Sequence, residues 1–305
     1  VDYSADVPIG AGILRQLADV YRKVRNTSRY LLGNLHDFNP ADDAVPVAEL
    51  PLLDRWMLQR TAEVMDEISE AFESYEFFRF FQLLQNFCVT DLSNFYLDIA
   101  KDRLYVSAPS DRRRRCCQTV MSLIIERLAG LIAPVLCHMA EDIWQNLPYE
   151  VEETSVFHRG WPTVPVDWRD PSLSEPIQRL RELRAAVNRV LEDCRSRQEL
   201  GASLEAAVRI ETRNPELQSA LNWLNENGDA EADGLRDWLL VSQLQLGGEP
   251  WAELLADQTD DTATIEVSRA RGIKCERCWH YESDVGQHTQ HPTLCGRCCN
   301  VLNRR

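Results

Sequence analysis

The arrangement with the most definite chemistry is Cys275-Glu276-Arg277-Cys278, followed after sixteen residues by Cys295-Gly296-Arg297-Cys298. A Cys-x2-Cys pair at a tight turn aims two thiolates at one point, and two such pairs close a tetrahedron around a single Zn2+. Lys274, Arg277 and Arg297 flank the pairs. Their charge offsets that of a four-thiolate zinc centre and favours thiolate over thiol. The expectation is one structural Zn2+ held by Cys275, Cys278, Cys295 and Cys298. Alternatives stay open at this level. Cys299 directly follows Cys298, so either can serve as the fourth ligand, although only Cys298 repeats the spacing of the first pair. His280, His288 and His291 lie between the pairs, but four thiolates leave no coordination position for them or for water. Four cysteines can also hold an iron–sulfur cluster.

The elements that must position this centre read as helices first. From Ile13 to Leu35, Ile13, Leu14, Leu17, Val20, Tyr21, Val24, Leu31 and Leu32 recur at helical spacing. Arg15, Arg22, Arg25 and Arg29 fall in a stripe roughly 80° wide beside Asn26, away from that apolar side. Further helical runs are expected over 52–75 and 75–105, from Pro109-Ser110-Asp111 to Leu131, and on to Leu147, with Trp56 and Trp144 in the core. Arg112 to Arg115 reads as an exposed helix start. Proline punctuation after Pro148 marks a linker. Beyond it lie a helix over 174–198, further helices near 215–225 and 235–240, and short strands at 206–210, 242–246 and 264–268. The expected fold is mainly α: an antiparallel helical bundle over 1–150, a linker over 151–172, a helix plus small α/β junction element over 173–270, and a four-cysteine zinc module over 271–305.

The chain has 305 residues and 44% apolar content, enough for about two cores. No stretch reads as a membrane span, and Val1-Asp2-Tyr3-Ser4-Ala5-Asp6 has neither the basic nor the apolar region of a secretory signal. A cytoplasmic setting is expected, with no membrane partner. Ten cysteines in such a setting imply free thiols and metal ligation instead of disulfides. The net charge of −15 confines any nucleic-acid contact to local basic clusters. Three exist: Gly12–Leu35 has five positive and one negative residue, Lys101–Arg115 six and two, and Arg269–Arg305 seven and three, each netting +4.

Several stretches resemble the bacterial-type isoleucyl-tRNA synthetases of class I. They are Tyr21-Arg22-Lys23-Val24-Arg25-Asn26-Thr27 with Arg29-Tyr30-Leu31-Leu32-Gly33-Asn34-Leu35, then Leu53-Asp54-Arg55-Trp56, Phe95-Tyr96-Leu97-Asp98 with Lys101-Asp102-Arg103, Ala133-Pro134-Val135-Leu136, Ala140-Glu141-Asp142-Ile143-Trp144, Gly201-Ala202-Ser203-Leu204-Glu205-Ala206, and Lys274-Cys275 to Trp279-His280. The resemblance implies a class I anticodon-binding bundle and recognition of tRNA(Ile) by its anticodon stem-loop. The signatures of the ATP-dependent catalytic domain and the inserted editing domain do not occur in this sequence, so ATP and isoleucine activation would belong to a catalytic part outside it, a partner if separate. Discrimination of isoleucine from valine, of which enzymes of this family are the standard example, would reside there too. Arginine can contact phosphate while asparagine reads or positions a base edge, and unstacked loop bases suit aromatic and guanidinium planes. The implied RNA contacts are Arg22, Arg25, Asn26 and Arg29, then Lys101 and Arg103, and in the zinc module Arg277, Trp279 and Arg297. DNA is not expected.

Each residue also has a plainer role. Arginine stripes often line solvated faces, and Lys101 or Arg103 can pair with Asp98 or Asp102. The competing function is a zinc-stabilised helical scaffold for protein partners. A free-standing enzyme would need a nucleophile–base pair or an open metal site, and the sequence offers neither.

Overall fold

The computed structural model describes Tyr3, Asp6 and residues 9–303, so Arg304 and Arg305 of the last basic cluster lie outside the described residues. Contacts divide the chain into two units, Val1–Ala100 with Pro109–Asp170, and Lys101–Ala108 with Pro171–Arg305.

The first unit is helical: α1 (Ala11–Asn34), the one-turn α2 (Pro40–Asp43), α3 (Leu52–Glu73), α4 (Phe77–Asn86), a π-helical stretch Phe87–Tyr96, the start of α5 (Leu97–Val106), α6 (Arg112–Ile132) and α7 (Cys137–Gln145). Local chemistry sets the ends. Tyr75 takes a left-handed φ of 60° between α3 and α4. The Asp111 carboxylate accepts from the Arg113 N–H at 2.8 Å and caps α6, while Pro134 cannot continue it. The single helix expected over 75–105 is thus three segments. The π turns sit where the Thr27 hydroxyl of α1 donates to the Cys88 carbonyl at 3.4 Å and lies 3.0 Å from Ser93 Oγ. Widened turns expose carbonyls to such side chains.

Trp56, Met57, Met65, Ile68, Phe80, Leu92, Phe95, Ile124 and Trp144 are buried in this unit. Trp56 meets Phe95 edge-on at 5.2 Å. The apolar side expected along α1 is only half realised. Val24 and Leu31 are buried, whereas Ile13, Leu14, Leu17 and Tyr21 are exposed, because the partners that hold α1 gather toward its C-terminal half, at Thr27 and Asn34.

The Arg112–Arg115 run departs from expectation too. Arg114 is buried and grips Asp37 at 2.5 and 2.8 Å, while Arg115 donates to the Asp37 carbonyl at 2.8 Å. Helical spacing turns these two inward toward the α1–α2 connection. Gln118 joins them, donating to Asp37 Oδ1 and to the Asn34 carbonyl, both at 2.8 Å.

The second unit contains α8 (Ser174–Ser196), β1 (Ala206–Glu211), α9 (Pro215–Asn227), α10 (Leu235–Leu239), β2 (Gln243–Leu246), β3 (Ala256–Thr259), β4 (Thr264–Arg269), β5 (Ile273–Lys274), β6 (Tyr281–Glu282) and α11 (Gly296–Asn303). Asn214 caps α9 by accepting from Glu216 and Leu217 N–H groups, with Pro215 in the first turn. α8 buries Ile177, Leu180, Leu183, Val187, Val190 and Leu191, the face its periodicity marks. The larger sheet has the order β2-β1-β4-β3, with β1 and β2 parallel and the other pairs antiparallel. Three of its strands fall where expected. β3 does not, because its sequence, Ala-Asp-Gln-Thr, has little strand propensity of its own.

Across β1 and β4, buried Arg209 meets Glu266 through two hydrogen bonds of 2.7 Å, and this pairing holds the Glu266 carboxyl below its usual range. No helix among the described residues is long and apolar enough to cross a membrane.

The Asp37 cluster generates a pH dependence. Burial works against the charged carboxylate, yet hydrogen bonds from Arg114 and Gln118 hold its pKa at about 2. A depressed folded-state value stabilises the fold above the unfolded value of about 3.9, and that stabilisation fades as pH falls through the folded value. Asp37→Asn is expected to lower stability at pH 7 by on the order of 1–3 kcal/mol. In urea melts its difference from wild type should shrink between pH 4 and pH 2; a constant difference would place the effect elsewhere.

Candidate functional site

The β5–β6 hairpin aligns the first cysteine pair, with Ile273 opposite Glu282 and Lys274 opposite Tyr281. Gly272 opens it at φ 104°, where an added Cβ would lie 2.6 Å from the Glu282 carbonyl oxygen, so only glycine fits. The chain then folds into a tight knuckle: the Cys275 N–H donates to the His280 carbonyl at 2.8 Å and the Trp279 N–H returns to the Cys275 carbonyl at 2.9 Å. Trp279 adopts a left-handed φ of 66° to close the turn. The second pair opens α11, and the Asp284 carboxylate fixes its start by accepting from the Gly296 N–H at 2.7 Å.

These turns bring the sulfurs of Cys275, Cys278, Cys295 and Cys298 within 4.8 Å of one another, all buried. Cys278 and Cys295 sulfurs are 3.7 Å apart, against about 3.8 Å for a tetrahedron with Zn–S bonds of about 2.3 Å. Without a cation the cluster can ionise only in part. Hydrogen bonds from Cys295 and Cys298 pull the Cys278 thiol far down, and donating to it pushes Cys295 up to about 12 and raises Cys298 as well. A divalent ion relieves that conflict. Cys299 stands outside the group, its sulfur 4.0 Å from the Leu294 carbonyl. None of the three loop histidines belongs to the group: His280 is buried with no partner for Nδ1, and His288 lies 3.2 Å from Asp284.

The residues expected to meet RNA separate into two sets. Arg22, Arg25, Asn26 and Arg29 are placed on α1, where all four are exposed, Arg22 being paired to Asp19. Lys101 is exposed, Arg277 is half-buried, and Trp279 is 61% exposed beneath the Lys274 ammonium at 5.6 Å. Arg103 is corrected: at 2% exposure its guanidinium cannot reach a ligand at the surface. Arg297 is half-buried, with both of its terminal nitrogens donating to Asp102 at 2.7 and 2.8 Å. The correction has a physical cause, since charge counted along the sequence does not reveal which face of α5 turns inward. Two residues of the metal centre have no signal in the sequence: Asp102, and Val106 packed among the four cysteines and Val285. Nothing in a single sequence links Asp102 to a residue 195 positions away.

Residues 54–210 match the family described as the anticodon-binding domain of tRNA ligase. This chain belongs to that family. Residues 272–301 match a second family, the zinc finger found in FPG and IleRS, and together with the four-sulfur cluster this makes one structural Zn2+ the cofactor of the module. Among its relatives, a protein from Parasynechococcus marenigrum (strain WH8102) named isoleucine–tRNA ligase is 83% identical over 305 residues, covering 100% of this chain and 31% of that protein. A protein of the same name from Prochlorococcus marinus (strain MIT 9313) is 78% identical, covering 100% and 32%. The chain therefore spans about a third of the length of the curated relatives it matches.

The geometry decides the ligand register left open by Cys299. Cys298→Ser is expected to abolish zinc binding and Cys299→Ser to retain one ion per chain, as read by native mass spectrometry. The reverse pattern would assign Cys299 as the fourth ligand.

Proposed function

We propose that this chain recognises the anticodon stem-loop of tRNA(Ile) as the C-terminal portion of a cytoplasmic isoleucine–tRNA ligase, with ATP-dependent charging carried by a catalytic part outside it. The observation that carries this reading is the match of residues 54–210 to an anticodon-binding family. The name isoleucine–tRNA ligase, shared by its relatives, supports the isoleucine tRNA as the one bound. In this reading 1–150 is the anticodon-binding bundle with antiparallel helices, an orientation the short α3–α4 and α6–α7 connections favour. Residues 151–172 are a linker, 173–270 a junction domain and 271–305 the zinc module.

The contact set is Arg22, Arg25, Asn26, Arg29, Lys101, Arg277, Trp279 and Arg297. Arginines on α1 contribute phosphate contacts and guanidinium stacking, Asn26 a base-edge hydrogen bond, and Trp279 a stacking plane. Backbone contacts dominate affinity and make it salt-dependent, which suits an acidic protein that meets RNA through local cationic surface.

Filter binding with tRNA(Ile) and with a tRNA of unrelated anticodon tests the proposal. Preference for tRNA(Ile) with steep salt dependence is expected, and Arg25→Ala should weaken binding by on the order of 1–3 kcal/mol if it meets a base. Equal and negligible binding to both tRNAs would favour the protein scaffold instead.

A further inference from the structure

Asp102 lies near the end of α5, yet its carboxylate is held by Arg297, from the second cysteine knuckle, through two hydrogen bonds of 2.7 and 2.8 Å. The Asp102 side chain is 13% exposed and that of Arg297 30%, so the pair is shielded compared with an ordinary surface bridge. Arg297 itself stands between Cys295 and Cys298, two of the four clustered cysteines, so whatever holds its side chain holds that knuckle. Four residues after Asp102, on the same helical face, Val106 packs against Cys275, Cys278, Cys295 and Cys298. One turn of α5 therefore supplies both an ionic clamp and an apolar plug to the four-sulfur cluster.

We propose that Asp102 and Arg297 form an outer-shell relay that controls how firmly the zinc is held: Asp102 orients Arg297, and Arg297 fixes the knuckle that carries Cys295 and Cys298. The proposal rests on the zinc reading of this cluster. An anchored knuckle fixes the directions in which its two sulfurs face the ion. Asp102 has two opposed effects. Its charge alone disfavours nearby thiolates, but Arg297 at 2.7 Å already neutralises it. What remains is orientation, and a guanidinium without that anchor turns to solvent. Orientation therefore wins, and losing Asp102 weakens zinc retention even though a negative charge is removed. By linkage the coupling is reciprocal: metal loss loosens the helix end that carries Lys101.

The test is zinc transfer to a colorimetric chelator at fixed pH, with metal content per chain measured first, on the full chain. Arg297→Gln is expected to bind zinc about 10- to 100-fold more weakly and to release it correspondingly faster. Arg297→Lys, which keeps the charge and loses the fork, should fall between it and wild type. Asp102→Asn should show much of the same loss, and the double variant should be little worse than Arg297→Gln alone. Hydrogen exchange should also show the 101–106 amides losing protection when wild type is stripped of metal, and partly in Arg297→Gln while zinc remains bound. Release at the wild-type rate from a fully loaded Arg297→Gln protein would overturn the relay and leave the zinc reading intact. Wild type that binds no zinc would instead overturn the zinc reading, and the relay with it.

Discussion

Four sulfurs drawn into one buried cluster are stable only if a cation shares them, and the terminal module depends on that condition. The residues from 272 to 301 are too few to bury a sufficient apolar core. Their interior consists of the cysteines themselves, Val285, and Val106 contributed from α5. Metal ligation replaces the missing hydrophobic contribution, on the order of 10–16 kcal/mol in comparable zinc-dependent peptides. The left-handed backbone at Trp279 and the close approach at Gly272 are features of the knuckle built around that ion.

Charge compensation governs the rest of the molecule. A chain of net charge −15 engages many of its arginines internally: Arg60 with Asp91 and Glu63, Arg114 with Asp37, Arg209 with Glu266, and Arg297 with Asp102. The basic clusters visible in sequence are therefore smaller at the surface than their counts imply. α1 keeps its stripe, since Arg15, Arg22, Arg25 and Arg29 are all exposed beside the buried Val24 and Leu31.

What can be read from sequence follows from which interactions are local. The ends of α3, α6, α8 and α9 are legible to within two residues because proline, Asp111 and Asn214 act on their own turns, and the apolar face of α8 follows its periodicity. The four cysteines are legible because ligand spacing is itself a geometric statement. β3, the β5–β6 hairpin and the π turns of Phe87–Tyr96 are not, since pairing with β4, the metal and the Thr27 hydroxyl impose them from a distance. Arg103 and Arg114 escape the sequence for a related reason. Their spacing is compatible with a solvated face, and only tertiary partners turn them inward. For α1 the periodicity is real, but periodicity marks an apolar side without stating how much of it is covered.

The join between α5 and the cysteine knuckles also bears on the order of assembly. Asp102 and Arg297 stand 195 positions apart, so on a ribosome the helix that completes the metal module is finished long before the last two cysteines emerge. Chains fold N-terminal part first during synthesis, and closing so long a loop costs entropy that only the finished contact returns. Capture of the ion and docking of α5 then coincide as a late step, and a nascent chain waiting for it carries Val106 and Asp102 before Cys295, Arg297 and Cys298 have been made.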